Sequence, residues 1–235
     1  MFYFSNIDGK KVLKSDLLTG VEHFFTTRDC CLFSKDKDMS ENRFFIEKYL
    51  GQRMATNQPV HGSHIEKIVS DKFFYEETDA LLLDEGKAAF MNFGDCVPMI
   101  YYYNHVGMIV HGGWRGTALK IAVKALDRLK ADYGIMQCDV KVVIGPAICF
   151  DCYEVGEDVF ETLQQNVRDK SAGFYKADDK YFVDLKEINY QQLKNSGVEQ
   201  IDVCPYCTAC GEGKDLFYSY RHSHTGDRHS AVLKV

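Results

Sequence analysis

A chain of 235 residues with 46% hydrophobic and 13% aromatic residues can bury a substantial core, which argues against a disordered protein. The formal net charge of -6 argues against nucleic acid as the main partner, although a local basic pocket can still bind a phosphate. No apolar run approaches the roughly 20 residues that a membrane helix requires, and the first residues lack a signal-peptide pattern. We therefore expect a cytoplasmic protein without a membrane partner, whose nine cysteines are reduced thiols or metal ligands rather than disulfides.

Short apolar runs between turn residues predict eight strands. In chain order they cover residues 67–69, 80–83, 89–93, 99–103, 107–110, 140–144, 201–203 and 216–220. Apolar residues at helical spacing predict three helices, over residues 117–133, 154–167 and 184–196. The polar segment from 167 to 180 is typical of a surface loop.

The order of these elements indicates the fold class. Several strands follow one another between residues 67 and 110, and strands then alternate with helices. This order predicts an α/β (mixed α+β) fold in which a mixed sheet carries helices on its faces. Because no linker, repeat or low-complexity segment divides the chain, we expect a single domain over residues 1–235.

The most distinctive local motif is HGGWRGT, residues 111–117, between an apolar run and the first predicted helix. Its glycines allow the backbone to approach a ligand closely, and the start of the following helix favours an anion. Arg115 adds a fork of donors for phosphate or carboxylate. His111 is expected at the tip of its strand.

Two other turns at strand ends carry potential metal ligands. His61 follows Pro59, and Cys96 lies in GDCVP, residues 94–98. With His111 they offer two imidazoles and a thiolate, which suit zinc and leave a fourth coordination position for water or substrate. Asp95 can act as a general base or orient a ligand. Each of these residues alone is more often structural, so their shared placement makes the trio a hypothesis for a catalytic metal site.

A second group of cysteines competes for a metal. Cys204, Cys207 and Cys210 form a C-x2-C-x2-C run, with His222 and His224 downstream. Such a run can bind a structural zinc ion or an iron–sulfur cluster. Since no second cysteine group at zinc-finger spacing completes it, buried reduced thiols are the expected state.

A series of motifs runs in one characteristic order over nearly the whole chain. It comprises FTTR (25–28), ENR (41–43), VHG (60–62), TDALLL (78–83), GDCVP (94–98), HGGWRGT (111–117), IGPAI (144–148), CYEVGEDV (152–159), DL (184–185), CT (207–208) and YSYR (218–221). In these motifs the chain resembles the laccase-domain family, also described as multicopper polyphenol oxidase or purine nucleoside phosphorylase-like.

The resemblance implies a layered α/β fold with mixed sheets flanked by helices, and a zinc ion held by His61, Cys96 and His111. Members of the family are described as enzymes for phosphorolysis of adenosine, inosine and methylthioadenosine and for deamination of adenosine. Older descriptions call them copper-dependent polyphenol oxidases. Some bacterial members are described as amidases that edit peptidoglycan precursors.

The resemblance suggests roles for further residues. In deamination, a zinc-activated water would attack the purine carbon that bears the amine, and Asp95 or Glu154 would move the proton. In phosphorolysis, Arg28 and Arg115 would hold phosphate near the ribose.

Trp114 or Tyr153 would stack on the purine. The expected partners are therefore small molecules, a purine nucleoside and phosphate, bound to a monomer or small homo-oligomer.

Copper remains the alternative metal. Oxygen reduction by a copper oxidase, however, requires several coppers and many histidines, and the chain has only eight histidines.

The chain departs from the family's pattern in two places. Cys30 and Cys31 stand where members usually carry a glycine pair, and a turn with positive φ would be strained by cysteine. Near the C-terminus, TGDR (225–228) is one residue longer than the usual Thr-Gly-Arg.

Overall fold

The computed structural model describes residues 1–235, which form sixteen strands, seven α-helices and four short 3-10 turns. The strands are β1 (Phe2–Ile7), β2 (Lys10–Ser15), β3 (Glu22–Thr26), β4 (Thr56–Asn57), β5 (Ile65–Lys67), β6 (Phe74–Tyr75), β7 (Ala80–Leu83), β8 (Ala88–Phe93), β9 (Val97–Tyr103), β10 (Val106–Gly112), β11 (Lys141–Ile144), β12 (Glu154–Val155), β13 (Phe174–Ala177), β14 (Lys180–Val183), β15 (Gln200–Val203) and β16 (His229–Lys234). The helices are α1 (Ser40–Leu50), α2 (Trp114–Ala118), α3 (Ile121–Tyr133), α4 (Glu157–Gln164), α5 (Leu185–Asn195), α6 (Gly213–Leu216) and α7 (Tyr220–Ser223).

Two large sheets organise the molecule. The first sheet has the strand order β1-β2-β3-β16-β8 and is antiparallel throughout. The second sheet has the order β15-β11-β9-β10-β7-β5, with parallel pairs at both edges and antiparallel pairs between them. The mixed α+β class with a mixed sheet is therefore confirmed.

Side chains alternate between the two faces of the second sheet, as the pleat of a strand requires. On β10, Met108 and Val110 pack in the same apolar cluster as Leu126 of α3 and Ile188 of α5. Ile109, between them, packs in a different cluster, with side chains of the first sheet. The second sheet thus lies between a helical layer and the first sheet.

The outer face of the first sheet is covered in its turn by α1. Ile46 and Leu50 of this helix cluster with Phe24 and Phe90, which are fully or almost fully buried. The layers therefore run helix, sheet, sheet, helix, and each sheet contributes one face to a common core. The helix α1 and the strands of the first sheet other than β8 lie outside the elements predicted from sequence.

Several predicted elements have different bounds. The helix predicted over residues 117–133 begins earlier, as α2, and breaks at Lys120, whose φ of 58° is left-handed. It resumes as α3 and ends at Gly134, as predicted. The helix predicted from 154 starts only at Glu157, because Glu154 pairs with Phe182 in a small sheet.

Two predictions are wrong. No strand covers residues 216–220: α6 ends at Leu216, Phe217 is extended without a sheet partner, and α7 begins at Tyr220. The segment from 167 to 180 is not only a loop, because it contains β13, which pairs with β14. None of the helices combines the length and apolar character needed to cross a bilayer.

Candidate metal centre and active site

The trio predicted from sequence converges at one point of the structure. His61 lies in the loop after β4, Cys96 in the turn between β8 and β9, and His111 near the end of β10. Their ligand atoms all lie within 4.8 Å of one another, and the two imidazole rings are 4.9 Å apart in an edge-on arrangement. His111 is buried, Cys96 is partly exposed and His61 is exposed, so the group is reached from one side.

The local backbone is built for close approach. His61 and Asp95 have left-handed φ values of 59° and 92°, conformations that are costly for residues with a side chain and persist where the surrounding structure imposes them. A Cβ atom on Gly113 would lie 2.9 Å from Cδ2 of His61, and one on Gly116 would lie 2.7 Å from the carbonyl oxygen of Gly62. The glycines of HGGWRG therefore make room for the His61 loop.

A buried carboxylate, which sequence reasoning missed, stands behind the trio. Oδ1 of Asp79 lies 3.3 Å from Nδ1 of His111, and Oδ2 accepts a hydrogen bond of 2.8 Å from the Gly62 N–H. Because Nδ1 of His111 faces this carboxylate, Nε2 is free to face Cys96 and His61. In metal sites, a ligating imidazole usually donates its other N–H to a carboxylate or carbonyl oxygen. Asp79 is the acidic residue of the TDALLL motif, so the sequence did contain a candidate for this role.

The charges of the trio are strongly coupled. Burial alone would raise the pKa of the Cys96 thiol, but the charge of His111 and hydrogen bonds from both imidazoles lower it to about 6. Burial would likewise lower the pKa of His111, but the Cys96 thiolate and Asp79 raise it to about 9. Both shifts favour a thiolate on Cys96 beside an imidazolium on His111 in the metal-free protein. A metal cation bound by the trio would displace the proton from the imidazole of His111.

A cleft of about 1220 Å³ opens onto the trio. Five cationic side chains line it: Lys37, Arg43, Arg115, Arg221 and Arg228. Their excess over the acidic residues Asp38 and Asp95 makes the cleft favourable for an anion, in a chain whose net charge is -6. Trp114 and Tyr153, the two rings expected from sequence to stack on a purine, also line the cleft.

The arginines of the cleft differ in their partners. Arg43 donates to the carbonyl of Met54. Arg221 donates to the carbonyl of Glu154, and Arg228 to the carbonyl of Thr225. Arg115 is exposed, and its side chain makes no hydrogen bond or ion pair within the protein; its guanidinium lies 4.3 Å from the ring centroid of Trp114. Among the arginines of the cleft it is therefore the one whose guanidinium donors are all free for a ligand.

Two residues assigned to the site from sequence lie elsewhere. Arg28 is not among the residues that line the cleft: it donates to the carbonyl of Lys214 over 3.0 Å, and its guanidinium stacks 4.6 Å from the ring of Tyr218. Glu154 is also outside the cleft lining and pairs with Lys180 at 3.1 Å.

Asp95 does lie in the cleft, but both of its carboxylate oxygens are engaged. They accept hydrogen bonds of 2.7 Å from the Thr208 hydroxyl and of 2.7 Å from the backbone N–H of Arg221. These bonds hold the turn that carries Cys96.

The cysteine pair that replaces glycines is not strained, because Cys30 belongs to a 3-10 turn and Cys31 has a φ of -74°.

Residues 22–234 match the family model described as multi-copper polyphenol oxidoreductase laccase. The chain belongs to this family. "Purine nucleoside phosphorylase YlmD" of Geobacillus stearothermophilus is 32% identical over 203 residues, which cover 78% of this chain and 73% of the relative. "Purine nucleoside phosphorylase YfiH" of Escherichia coli is 27% identical over 201 residues, covering 83% and 79%.

Solved structures in the family share the fold over its full length. YlmD from Geobacillus stearothermophilus superposes with a TM-score of 0.89 at 27% identity, covering 98% of both chains. The Bacillus licheniformis protein YfiH gives a TM-score of 0.89 at 26% identity and covers 99% of both chains. The family's described name refers to copper, whereas the curated relatives are named for purine nucleosides.

Proposed function

We propose that this protein is a zinc-dependent purine nucleoside phosphorylase. The observation that carries the proposal is that a trio of metal-ligand side chains opens into a cleft that also presents an unpaired arginine and aromatic rings. The names of the curated relatives support the same substrate class. The proposed substrates are adenosine, inosine and methylthioadenosine together with phosphate.

The donors of the trio suit zinc. Imidazole and thiolate are both usual zinc ligands, and in catalytic zinc sites three protein ligands leave one coordination position for water or substrate. The lowered pKa of Cys96 and the carboxylate of Asp79 behind His111 fit this assignment. The chemistry that zinc supplies when bound is Lewis acidity, which makes water nucleophilic at neutral pH.

The cleft residues supply binding and orientation. Arg115 is proposed to bind phosphate, because its donors have no partner in the protein and lie at the cleft wall. Trp114 and Tyr153 offer faces on which a purine can stack. Holding phosphate and nucleoside together in one cleft replaces a bimolecular encounter by an oriented one.

We extend the proposal to deamination of adenosine in the same cleft. That reaction requires a group that moves a proton to the leaving amine. Asp95 is the carboxylate that lies beside Cys96, whereas Glu154 lies outside the cleft lining. Asp95 is therefore assigned this role in preference to Glu154. A cytoplasmic location belongs to the same proposal.

The test combines metal analysis with product analysis. Purified protein is expected to contain zinc. Phosphorolysis should convert adenosine to adenine and ribose 1-phosphate only when phosphate is present. Deamination should convert adenosine to inosine in the absence of phosphate. His111→Ala should abolish both reactions. His64→Ala is the matched control, because His64 is exposed and pairs with Glu66 rather than with the trio.

Other outcomes would replace the proposal. Stoichiometric copper without zinc, together with oxidation of phenols, would favour the activity in the family's description. Release of serine from a misassembled peptidoglycan precursor, with no turnover of nucleosides, would favour the amidase. Equal nucleoside turnover by the His111→Ala variant would remove the trio from the mechanism.

A further inference from the structure

Four cysteines converge at a second point of the chain. Cys149 and Cys152 lie on the turn that follows β11, and Cys207 and Cys210 lie on the turn that follows β15. All four Sγ atoms are within 4.8 Å of one another. Zinc-finger spacing did not reveal this group, because the completing Cys-x2-Cys pair, Cys149 and Cys152, lies far upstream and is brought close only by the fold.

The membership of this group also differs from the run seen in the sequence. Cys204 is buried in the core between the two sheets and is not part of the group. His222 and His224 are not part of it either. The fold thus selects two Cys-x2-Cys pairs, which is the ligand spacing of closed structural zinc sites.

The sulfur positions suit one tetrahedral ion. Sγ of Cys149 lies 3.7 Å from Sγ of Cys210. A disulfide requires about 2.05 Å. Four sulfurs around one zinc ion at about 2.3 Å would be about 3.8 Å apart. The observed separation therefore matches neighbouring ligands of a single ion, whereas an iron–sulfur cluster places several irons between its sulfurs.

Backbone donors point at the sulfur of Cys207. The N–H of Cys149 donates to it over 3.2 Å, and the N–H of Ala209 over 3.3 Å. Hydrogen bonds of this kind stabilise a thiolate, which is the form that binds a metal. Each of the two turns thus contributes two sulfurs to the group and one backbone N–H that donates to the Cys207 sulfur.

We propose that Cys149, Cys152, Cys207 and Cys210 bind a structural zinc ion, distinct from the metal of His61, Cys96 and His111. Four protein sulfurs occupy all four coordination positions of a tetrahedral zinc ion, so this site has no position for substrate. Its role is to join two turns that are distant in sequence.

Both joined turns reach the catalytic cleft. Thr208, which follows Cys207, holds Asp95 beside Cys96. Tyr153, which follows Cys152, lines the cleft, and Arg221 donates to the carbonyl of Cys152. The structural zinc ion would therefore act as a positioning element for the cleft without contacting substrate.

The experiment counts metal ions in the full chain, purified under reducing conditions without chelators. The unmodified protein should contain two zinc ions per chain, and Cys96→Ala should retain one. The double variant Cys152→Ser/Cys210→Ser should lose one zinc and show a lowered melting temperature. Cys204→Ala is the matched control and should keep both ions, because Cys204 is buried outside the group.

Cobalt substitution keeps the proposal falsifiable if the double variant does not fold. Cys96→Ala reconstituted with cobalt should show the strong thiolate-to-metal and visible bands of a tetrahedral all-sulfur site. A single zinc per chain that disappears entirely in Cys96→Ala would overturn the proposal, and so would a disulfide within the group. Iron in place of zinc would overturn the assignment of the metal. These outcomes do not depend on nucleoside turnover, so failure here is distinguishable from failure of the proposed function.

Discussion

Asp79 and His111 are joined twice, through the backbone and through their side chains. The N–H of His111 donates to the carbonyl oxygen of Asp79 over 2.8 Å, continuing the pairing of Val110 with Ala80 between β10 and β7. The carboxylate of Asp79 then lies 3.3 Å from Nδ1 of His111. The sheet register therefore fixes the orientation of the imidazole that is proposed to bind zinc.

The first prediction concerns Asp79→Asn. The amide keeps the shape of the side chain but removes the charge that polarises His111 and fixes its tautomer. Changes of this kind typically lower metal affinity by about 10- to 100-fold. The measurement is a competition titration of zinc against a chelator of known affinity.

Asp84→Asn is the control for this prediction. Asp84 follows the other end of β7 and pairs with Lys67 at 2.8 Å on the surface. The Asp84→Asn variant should bind zinc at the trio with the same affinity as the unmodified protein. Equal affinities for the unmodified protein and Asp79→Asn would show that the carboxylate does not support the metal.

A second prediction is that zinc binding at the trio releases protons. With the pKa of Cys96 at about 6 and that of His111 at about 9, the metal-free protein near pH 7.5 holds a thiolate and a protonated imidazole. Because zinc binds only neutral imidazole, His111 must lose its proton. Zinc affinity should therefore rise by about tenfold per pH unit between pH 7 and 8.5, from this one proton.

Calorimetry of zinc binding in buffers of different ionisation enthalpy measures the proton release directly. Use of Cys152→Ser/Cys210→Ser confines the signal to the trio. Asp79→Asn should release a smaller fraction of a proton at pH 7.5, because it removes one of the groups that raise the pKa of His111. An enthalpy that does not vary with the buffer would contradict the thiolate–imidazolium pair.

Local sequence was sufficient to group His61, Cys96 and His111 as candidate ligands, because turns at strand ends carry ligand types in recognisable motifs. It was insufficient for Asp79, whose role depends on the pairing of β7 with β10. The pairing of Cys149 with Cys207 depends on the same kind of non-local contact, β11 beside β15. Local spacing shows each Cys-x2-Cys pair by itself, but it does not show which distant residues meet across paired strands.

The wrong elements have local physical reasons as well. The apolar run near Leu216 and Phe217 matched a strand, but Leu216 ends α6 and Phe217 is buried by packing instead. The helix after HGGWRG appeared continuous because its periodicity runs through Lys120, and periodicity does not detect a single left-handed residue.

A third prediction separates the two arginines assigned to phosphate from sequence. Arg115→Ala should raise the KM for phosphate by about 10- to 100-fold, since hydrogen bonds to a charged group contribute about 1.5–3 kcal/mol. Arg28→Ala should leave that KM within about twofold, because its guanidinium is engaged with Lys214 and Tyr218 outside the cleft. Steady-state kinetics with inosine and varied phosphate gives both values.

Zinc content should be unchanged in both arginine variants, since neither residue belongs to the trio. If Arg28→Ala instead raised the KM for phosphate and Arg115→Ala did not, phosphate would bind near Arg28, outside the cleft lining. The roles assigned to the two residues would then be exchanged.

A fourth prediction tests the close approach at Gly113. In Gly113→Ala the new Cβ would lie 2.9 Å from Cδ2 of His61 and 3.5 Å from Sγ of Cys96. The His61 ring must move, so zinc affinity at the trio should fall by at least tenfold and nucleoside turnover should fall with it. Competition titration and kinetics measure the two effects.

The fold should persist in this variant, because the clash is with a ligand loop and not with the core. Far-ultraviolet circular dichroism and a melting temperature within a few degrees of the unmodified protein would establish this. Full zinc affinity in a folded Gly113→Ala variant would show that the His61 loop yields without cost and that the glycine has another role.

The last prediction concerns His229, which is buried at the start of β16, with Nδ1 3.2 Å from the carbonyl of Tyr218. Burial lowers its pKa to about 4, despite the nearby charge of Asp95. An unfolded histidine titrates near pH 6.5, so between pH 6.5 and 4 the unfolded chain binds a proton that the folded chain does not. The contribution of His229 to stability is therefore present above pH 6.5 and lost as the pH falls to 4, by about 3 kcal/mol at most.

His229→Asn keeps a side-chain donor near the position of Nδ1 but does not titrate. The free energy of unfolding should therefore fall less steeply with decreasing pH in this variant than in the unmodified protein. Subtracting the two pH profiles, measured by urea denaturation, cancels the carboxylates and metal ligands that both proteins share. The exposed His64, changed to Asn, should give a profile parallel to that of the unmodified protein. If His229→Asn is also parallel between pH 6.5 and 4, His229 must be protonated in the folded state, and a carboxylate such as Asp95 must stabilise its charge.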